Sequence, residues 1–349
     1  MTSPPSRRRG APRTTLDQIA RDAGVSISTV SKVLNGRPGV SPTTRALIET
    51  RLAKHRYRPR SANQEGAIEL VYIPFGSDWL TDVMEGVCSV ARELGVGLTV
   101  TRWDDHSGAP RDWLEGVARR QPLGVVSLFA TPSADDRRRL ANRSIPFVII
   151  DPAGDPGPQV THIGGQNWAG GLAAAGHLLD LGHRRIAVLT GSGQRLCFPA
   201  RTSGFRAGLE MAGVPYDPEL TRAFDFEKEP GDAHVVALLD LPDPPTGFFA
   251  QADVVALSVY REAARRGLRI PHDLSVVGYD DLPLAARVAP PLTTVRQPIR
   301  EIAKAAARLV AGSASAGPPM EFATELVVRQ STAPPRADRS RRDGRPPGR

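Results

Sequence analysis

The chain has 349 residues, a hydrophobic content of 40% and a formal net charge of +8, and its length suits two or three globular domains. No apolar run approaches the roughly 18 residues of a membrane span, and no apolar segment follows the first arginines, so we expect a cytoplasmic protein. The two cysteines, Cys88 and Cys197, lack metal-type spacing, and we predict neither a metal nor another cofactor.

The positive charge lies at the two ends of the chain. Residues 1–60 contain 13 Lys and Arg against 3 Asp and Glu, whereas residues 61–328 contain 25 against 32. A basic end on an acidic body indicates a module that binds a polyanion such as nucleic acid. Residues 1–13 and 334–349 are rich in Pro, Arg and Gly without core residues, so we predict a disordered basic arm and a disordered basic tail.

Residues 14–60 are predicted to form a head of three short helices. Thr15 can cap the first helix, whose apolar residues recur at i, i+3, i+4 and i+7, and Gly24 ends it. Ser26 can cap the second helix, and Ser41 followed by proline begins the third. Three short helices with a tight glycine turn between the first two are typical of a helix-turn-helix.

The second predicted helix carries the side chains expected to meet DNA. Short hydroxyl side chains at its N-terminus let it approach a major groove closely and donate to phosphates, helped by the helix-end N–H groups. Lys32, one turn further along, can reach guanine acceptors. The alternative is a small three-helix bundle with a solvated Ser/Thr face.

The segment T-T-L-D-Q-I-A-R-D-A-G-V-S-I-S-T-V-S-K-V-L-N-G closely resembles the DNA-binding head of the LacI family of bacterial repressors. The resemblance implies that Ile27, Ser28 and Lys32 face bases. It further implies phosphate contacts by Ser26, Thr29, Ser31 and Asn35. Lys32 stands where the family usually has arginine, and lysine lacks the bidentate fork that arginine offers to guanine, so weaker discrimination is expected there.

The hinge, residues 61–67, departs from the family pattern. The family's hinge helix inserts a leucine into the minor groove and kinks the operator. Here Arg60 replaces the usual asparagine, Gly66 falls where the leucine is expected, and the next strand begins near Ile68, several residues early. We predict a shortened hinge without an apolar wedge, so that the DNA is bent less or is bent by another residue.

The body, residues 68–333, alternates short apolar runs with amphipathic helical patterns. This rhythm predicts an α/β fold class with two doubly wound parallel-sheet lobes and ligands at the carboxyl ends of the strands. The segments G-H-L-L-D-L-G-H-R-R-I-A-V-L-T-G and D-L-S-V-V-G-Y-D-D resemble the family's effector-binding part, which is similar to periplasmic sugar-binding proteins.

The chain of the family crosses between the lobes three times, and the resemblance implies crossings near residues 163–166, 289–293 and 318–322. The first lobe is then expected to contain about residues 68–165 and 293–318. The second lobe is expected to contain about residues 166–290 and 320–333.

Polar and aromatic residues near the predicted strand ends are the candidate effector contacts. The resemblance implies that Arg201 in R-x-x-G-F binds effector hydroxyls or a carboxylate. It also implies that Asp280 after L-S-V-V-G-Y accepts from sugar hydroxyls and that the effector stacks on Phe226. Three more candidates lie at or after the ends of predicted strands, where an aromatic and carboxylates suit a pyranose ring: Asp78, Trp79 and Asp151. The alternatives for each are a surface arginine, a capping carboxylate or a core aromatic residue.

One loop differs from the family. The family often has Asn or Ser before Asp in an A-x-[NS]-D loop, whereas this chain reads F-A-Q-A-D. Ala252 has no side-chain hydrogen bond to offer, and Gln251 is the candidate replacement. The effector's hydroxyl pattern therefore cannot be copied from a relative.

We predict a homodimeric transcriptional regulator that binds a near-palindromic operator in double-stranded DNA. Its expected role is repression of carbohydrate uptake or catabolism genes, with operator affinity controlled by a small mono- or oligosaccharide between the lobes. The sequence lacks a G-K-[ST] phosphate loop and a G-x-S-x-G elbow, so no enzymatic activity is predicted. The alternative is a sugar-binding sensor or an architectural DNA binder whose operator specificity is degraded by the altered hinge.

Overall fold

The computed structural model describes residues 15–55, 57, 66–73, 77–103, 110, 112–152, 154–157, 160–191, 195–225, 228–312 and 319–336. Within these residues, a three-helix head precedes two α/β lobes. The predicted N-terminal arm, most of the predicted hinge and residues 337–349 lie outside the described residues.

The head contains the helices α1 (Leu16–Ala23), α2 (Ile27–Leu34) and α3 (Pro42–Lys54). Each begins at the predicted cap, because Thr15, Ser26 and Ser41 accept a backbone N–H bond with their side chains. Gly24 ends α1 in the left-handed conformation, with φ of 65°. The buried side chains of the three helices form one small core, so the predicted helix-turn-helix head is confirmed.

The first part of the body alternates strands and helices as far as residue 165: β1 (Ala67–Tyr72), α4 (Ser77–Leu94), β2 (Gly97–Arg102), α5 (Trp113–Arg120), β3 (Gly124–Leu128), α6 (Ala134–Ala141), β4 (Phe147–Ile150) and β5 (His162–Gly165). The second part continues the alternation: α7 (Asn167–Asp180), β6 (Ile186–Gly191), α8 (Cys197–Met211), β7 (Thr221–Phe224), α9 (Asp232–Leu239), β8 (Gly247–Ala250), α10 (Asp253–Arg266), β9 (Ser275–Asp280), β10 (Thr293–Arg296), α11 (Ile299–Ala311), β11 (Met320–Phe322) and β12 (Glu325–Val327). The first strand starts close to the predicted position.

The strands form two six-stranded sheets, with the orders β11-β5-β4-β3-β1-β2 and β12-β10-β9-β8-β6-β7. All neighbours are parallel except β12, which is antiparallel to β10. The central strands β3, β8 and β9 are buried along their whole length, because helices cover both faces of each sheet. The predicted fold class, two doubly wound lobes behind a helical head, is confirmed.

Two predicted lobe boundaries are wrong. Residues 293–296, predicted in the first lobe, form β10 in the second sheet, where Val295 lies opposite Tyr279 of β9. Residues 320–322, predicted in the second lobe, form β11 in the first sheet, where Glu321 lies opposite Gly164 of β5. Strands of three or four residues have too little pattern to reveal their partner sheet, so strand pairing alone decides their lobe.

Helices α7 and α8 lie in unusually close contact. A side chain at Gly171 would collide with the Arg201 carbonyl, and a side chain at Gly204 would collide with the Trp168 carbonyl. The absence of a Cβ at both positions lets the two backbones touch. This contact fixes the N-termini of both helices next to each other.

The first three residues of the predicted disordered tail, 334–336, lie within the described part of the chain. Residues up to 336 are described, and Arg336 makes an ion pair of 2.6 Å with Asp273. The preceding residues are held by two histidines, since His183 Nε2 lies 2.9 Å from the Ala333 carbonyl oxygen and His177 Nε2 lies 2.9 Å from a threonine hydroxyl. Both histidines therefore secure the C-terminal segment on the second lobe.

The described residues also bear on membrane insertion. Among their helices, none combines the length and the apolar character needed to cross a bilayer.

Candidate functional site

The outer surface of α2 carries the predicted DNA contacts. Ile27 is 47% exposed although isoleucine is normally buried. The side chains of Ser26, Ser28, Lys32 and Asn35 are exposed as well, and those of Thr29 and Ser31 are half-buried. All seven predicted residues therefore lie on one accessible helix surface or at its two ends.

The hydroxyl groups at the start of α2 are bonded to one another. Ser26 Oγ lies 2.8 Å from Ser28 Oγ and 2.8 Å from Thr29 Oγ1, and it accepts the Thr29 N–H at 3.2 Å. This network holds the cap in one arrangement and leaves the first-turn N–H groups at the exposed end of the helix. Their contact with phosphates and bases stays a prediction.

The other end of α2 contacts the first lobe. Arg143 follows α6 and is 7% exposed, and its Nη2 donates to Asn35 Oδ1 at 2.9 Å. Beside it, Asn142 Nδ2 donates to Glu49 Oε1 of α3 at 3.2 Å. The head is thus joined to the first lobe by polar contacts as well as by the linker, a feature that the sequence does not predict.

The cleft between the lobes is marked by unusual backbone conformations at the ends of three strands. Phe129 follows β3 with φ of 61°, Asp151 follows β4 with φ of 46°, and Asp280 ends β9 with φ of 110°. A non-glycine residue in this region costs about 1–3 kcal/mol and is concentrated at functional sites. The strand ends of both lobes therefore show the strain expected of a binding site.

Arg201 lies at the centre of the cleft residues and is 3% exposed. Its Nε donates to Asn167 Oδ1 at 2.8 Å, and its Nη1 donates to the Gln251 carbonyl. Its Nη2 lies 3.6 Å from Asp280 Oδ1, and its guanidinium carbon lies 3.6 Å from the centre of the Tyr279 ring. The predicted pair of Arg201 and Asp280 is brought together by α8 and β9.

Asp151 comes from the first lobe and faces this group. It hydrogen-bonds with Asn167 of the second lobe and interacts with the Arg201 charge. A side chain at Gly164 would collide with the Asp151 carboxylate, so glycine on β5 makes room for it. Arg201, Asp151 and Asp280 form a buried cluster from both lobes, which we call the cleft cluster.

The two carboxyl groups of the cleft cluster have raised pKa values. Burial raises the pKa of Asp151 and of Asp280 to about 6 in each case, although the Arg201 charge opposes the shift. Gln297 Nε2 donates to Asp280 Oδ1 at 2.7 Å and also opposes it. Burial acts to lower the pKa of Arg201, but Asp280 and other neighbours raise it overall. The guanidinium therefore stays charged while both carboxyls exchange protons near neutral pH.

Gln251 is engaged within the second lobe. Its side-chain amide lies 2.7 Å from Thr190 Oγ1 and 2.8 Å from Thr202 Oγ1, and it is fully buried. The neighbouring Asp253 accepts bonds from a backbone N–H and a threonine hydroxyl. The loop F-A-Q-A-D thus orders the strand ends around Arg201, and its proposed direct contact with an effector stays a prediction.

Two of the remaining effector candidates, Asp78 and Trp79, lie at the start of α4 in the first lobe. Trp79 is 2% exposed, because it lies on the sheet-facing side of α4 with Val83 and Val87. Its ring centre lies 5.4 Å from that of Phe129, and its contact with an effector stays a prediction. Asp78 is exposed in the first turn of α4, and Phe226 lies outside the described residues.

The prediction omitted two polar residues of the site, Asn167 and Gln297. Gln297 directly follows β10, and Asn167 begins α7 two residues after β5. The rule that ligands bind at the carboxyl ends of parallel strands applies to both. The sequence prediction missed them because β10 was not assigned to the second sheet and β5 was read as part of a crossing.

An open cavity of about 410 Å³ adjoins the cleft cluster. We call it the side cavity, and it is lined by Asp151, Pro152, His162, Ile163, Gly164, Gly165, Gln166, Asn167, Trp168, Ala169, Leu196, Cys197, Ala200, Met320 and Glu321. Burial raises the pKa of the Cys197 thiol to about 11, so this cysteine contributes no thiolate at neutral pH.

A helix-turn-helix head on two lobes with a charged, buried cleft defines the class of ligand-responsive DNA-binding regulators. The model of the lacI family of bacterial regulatory proteins matches residues 15–60, and the model of the periplasmic binding protein-like domain matches residues 175–332. The HTH-type transcriptional regulator DegA of Bacillus subtilis is 32% identical, with 92% of this chain and 99% of DegA aligned. This chain therefore belongs to the lacI family of bacterial regulatory proteins.

Two further comparisons concern regulators named CelR. The HTH-type transcriptional regulator CelR of Thermobifida fusca is 31% identical over 91% of this chain and 98% of CelR. The solved structure of a transcriptional regulator CelR–cellobiose complex superposes with a TM-score of 0.68 at 30% identity, covering 91% of this chain and 100% of that chain. These relatives are DNA-binding transcriptional regulators that match this chain along nearly its whole length.

Proposed function

We propose that this regulator is a homodimeric repressor of carbohydrate uptake or catabolism genes, controlled by a small sugar-like effector. The observation that carries the proposal is the cleft cluster, in which Arg201, Asp151 and Asp280 are buried together. A neutral polyhydroxyl ring needs donors and acceptors within hydrogen-bond reach. A fixed guanidinium with two carboxylates offers both kinds of group at once.

The effector acts by tying the two lobes together. Asp151 belongs to the first lobe, whereas Arg201 and Asp280 belong to the second, so a ligand bound to all three favours one orientation of the lobes. The head contacts the first lobe through Arg143, and a change of lobe orientation alters the spacing of two heads in a dimer. Because coupling is reciprocal, the effector and the operator weaken each other's binding by the same factor.

Two heads are needed because one helix-turn-helix reads only one half-site. In each head, Ile27, Ser28 and Lys32 contact base edges. The phosphate contacts are made by Ser26, Thr29, Ser31 and Asn35. The two half-sites are then spaced by about one DNA turn, roughly 34–36 Å, or a multiple of it.

The relatives support the class of effector and of partner. DegA and CelR carry the names of HTH-type transcriptional regulators, and a CelR structure contains cellobiose. A sugar effector and an operator are therefore the partners that we assign to this chain. Release of the operator by the effector is the direction that we propose.

The test is selection of random duplex DNA on the purified full-length protein at near-physiological salt. Recovery of one near-palindromic sequence supports a dimeric, sequence-specific regulator. That sequence then serves to screen sugars for release of the protein. Binding without any shared motif contradicts the repressor proposal.

One observation favours a second candidate, an architectural DNA binder with a sugar-sensing body. The hinge position expected to hold an apolar wedge is Gly66, which has no side chain to insert between base pairs. The same selection separates the two candidates, since an architectural binder enriches no palindrome. A shared near-palindromic motif excludes the second candidate.

A further inference from the structure

The indole of Trp168 lies in the wall of the side cavity and is unusually exposed. Three of the four tryptophans, Trp79, Trp103 and Trp113, are 1–4% exposed, whereas Trp168 is 47% exposed. Two more large apolar side chains of the cavity, Leu196 and Met320, are 44% and 38% exposed. An aromatic ring and two aliphatic side chains left open to water in one concave site indicate a ligand with an apolar face.

The acceptors of the side cavity are carboxylates. Asp151 and Glu321 both line it, and the Glu321 charge adds to the main effect of burial in raising the pKa of Asp151. His162 lines the same wall. Two carboxylates repel an anionic ligand but accept bonds from hydroxyl groups, so a neutral hydroxylated ligand fits this wall.

The donors of the side cavity are the N-termini of two long helices. α7 has 14 residues and α8 has 15, and residues of both first turns line the cavity. Neither helix has a side-chain cap bond or an acidic residue in its first turn. The N–H groups of a first turn have no intrahelical partner in any helix, and here no side chain of the cap residue binds them. The contact at Gly171 and Gly204 brings both helix ends to one cavity.

An apolar platform, carboxylate acceptors and backbone donors together match the chemistry of a sugar ring, which has a C–H face and a rim of hydroxyls. A volume of about 410 Å³ falls in the range of roughly 300–1,000 Å³ typical of small-molecule sites. Asp151 belongs both to this cavity and to the cleft cluster, so the two sites adjoin at this carboxylate.

We propose that the side cavity is a second saccharide subsite and that the effector is an oligosaccharide of at least two rings. One ring binds the cleft cluster around Arg201 and Asp280. The next ring stacks on Trp168, and its hydroxyl groups donate hydrogen bonds to the Glu321 carboxylate. The inference rests on the proposed function, and it defines the length of the effector.

The experiment uses the fluorescence of the full-length protein, because Trp168 is the exposed indole. Glucose, cellobiose, cellotriose, maltose, xylose and xylobiose serve as probes, and binding is first detected as a rise in the thermal unfolding temperature. Quenching by acrylamide then reports the accessibility of Trp168. In Trp168→Phe the quenching of the three buried indoles is expected to be small, which verifies the assignment of the signal.

The expected result is that a disaccharide or trisaccharide raises the unfolding temperature, protects Trp168 from acrylamide and binds at least tenfold more tightly than its monosaccharide. Trp168→Ala then weakens the oligosaccharide about tenfold and leaves the monosaccharide unchanged. Met211→Ala is the matched control, since Met211 is a large apolar residue, 80% exposed, at the opposite end of α8.

Two outcomes overturn the subsite while leaving the proposed function intact. In the first, an oligosaccharide stabilises the protein without protecting Trp168. In the second, Trp168→Ala and Met211→Ala bind the oligosaccharide equally well. A different outcome, in which none of the six sugars stabilises the protein at millimolar concentration, contradicts the proposed function and the subsite with it.

Discussion

At the scale of single residues, the cleft cluster combines one permanent charge with two titrating carboxyls. Arg201 is buried against Asp151 and Asp280, and burial raises the pKa of both carboxyls to about 6. A hydroxyl donated by a ligand favours the ionised carboxylate. Effector binding is therefore expected to release protons, and its affinity increases as the pH rises through 6.

The pKa of Asp151 also makes stability depend on pH. Because its pKa rises from 3.8 to about 6 on folding, the folded chain binds more protons than the unfolded chain between these values. The free energy of unfolding consequently falls as the pH rises from about 4 to about 6. The Asp151→Asn variant has no titrating group at this position. Over this pH interval its free energy of unfolding is therefore expected to fall by about 1–3 kcal/mol less than that of wild type.

Urea unfolding at about pH 4 and about pH 7 measures this difference. Asp180→Asn is the control, because Asp180 is an exposed carboxylate at the end of α7. Parallel loss of stability in wild type and Asp151→Asn would show that Asp151 does not titrate in this interval.

Lys32 is expected to read a base rather than a phosphate. It is exposed on the last turn of α2, on the same side as the N-terminal hydroxyls. Lys32→Ala should weaken binding to the selected operator about tenfold and relax the preference at one base pair of each half-site. Lys32→Arg should sharpen that preference, since arginine binds guanine through two parallel bonds.

Lys54→Ala provides the control for the loss of one positive charge, because Lys54 is an exposed lysine at the end of α3. Repeating the selection with each variant measures both affinity and preference. If Lys32→Ala has the same base preference as wild type, Lys32 is not one of the residues that recognise bases.

At the scale of secondary-structure elements, the backbone contact of α7 and α8 places two helix ends at one cavity. A methyl group at position 204 would lie against the Trp168 carbonyl and push the helices apart. Gly204→Ala is therefore expected to lower the free energy of unfolding by about 1–3 kcal/mol and to change the exposure of Trp168.

Gly176→Ala is the matched control in the same helix pair. A Cβ at position 176 meets no atom within 4 Å, so the substitution should stabilise α7 by up to about 1 kcal/mol through helix propensity. Thermal unfolding and acrylamide quenching of both variants measure the two effects. Equal stabilities for the two variants contradict the close contact.

The contact between the head and the residues that follow α6 is the second feature at this scale. Arg143 donates to Asn35 and is almost fully buried. Arg143→Ala is expected to free the head and to raise hydrogen exchange across α1, α2 and α3 by about tenfold, since a bond to a charged group contributes about 1.5–3 kcal/mol.

Arg137→Ala is the control for this contact, because Arg137 lies on α6 but donates to the Pro156 carbonyl instead. Exchange in the head should be the same in Arg137→Ala and in wild type. If Arg143→Ala also leaves it unchanged, the linker alone determines the mobility of the head.

At the scale of the whole molecule, charge is separated between the DNA-reading end and the body. Residues 1–60 are strongly basic and residues 61–328 are net acidic, so the body is repelled by DNA while the head is attracted. Residues 1–60 contain 13 Lys and Arg, and a dimer that neutralises roughly six to ten phosphates with these side chains should lose about 10³–10⁵ in operator affinity between 50 and 200 mM salt.

Titration of the selected operator at several salt concentrations measures this slope. A truncated chain that begins at residue 14 is the comparison, because it lacks the arginines of the N-terminal arm. A shallow slope for the full chain, equivalent to one or two phosphates, contradicts the dimeric arrangement of heads.

The sequence by itself determined the features that local interactions control. The three helices of the head follow from caps at Thr15, Ser26 and Ser41 and from apolar spacing within each helix. The alternation of strands and helices dictated parallel sheets, the strand-end rule indicated Asp151, and the resemblance to the family indicated Arg201 and Asp280. These features depend on neighbours within a few residues or on general rules of chain connection.

Only the tertiary structure decided which distant segments meet. The pairing of β10 with β9 and of β11 with β5 moved two crossings, because three or four residues cannot specify a partner sheet. Trp79 and Trp168 are both tryptophans near helix starts, yet one is buried and the other exposed. That difference arises from packing between elements, as do the side cavity and the contact of Arg143 with the head, and the pattern along the chain does not contain it.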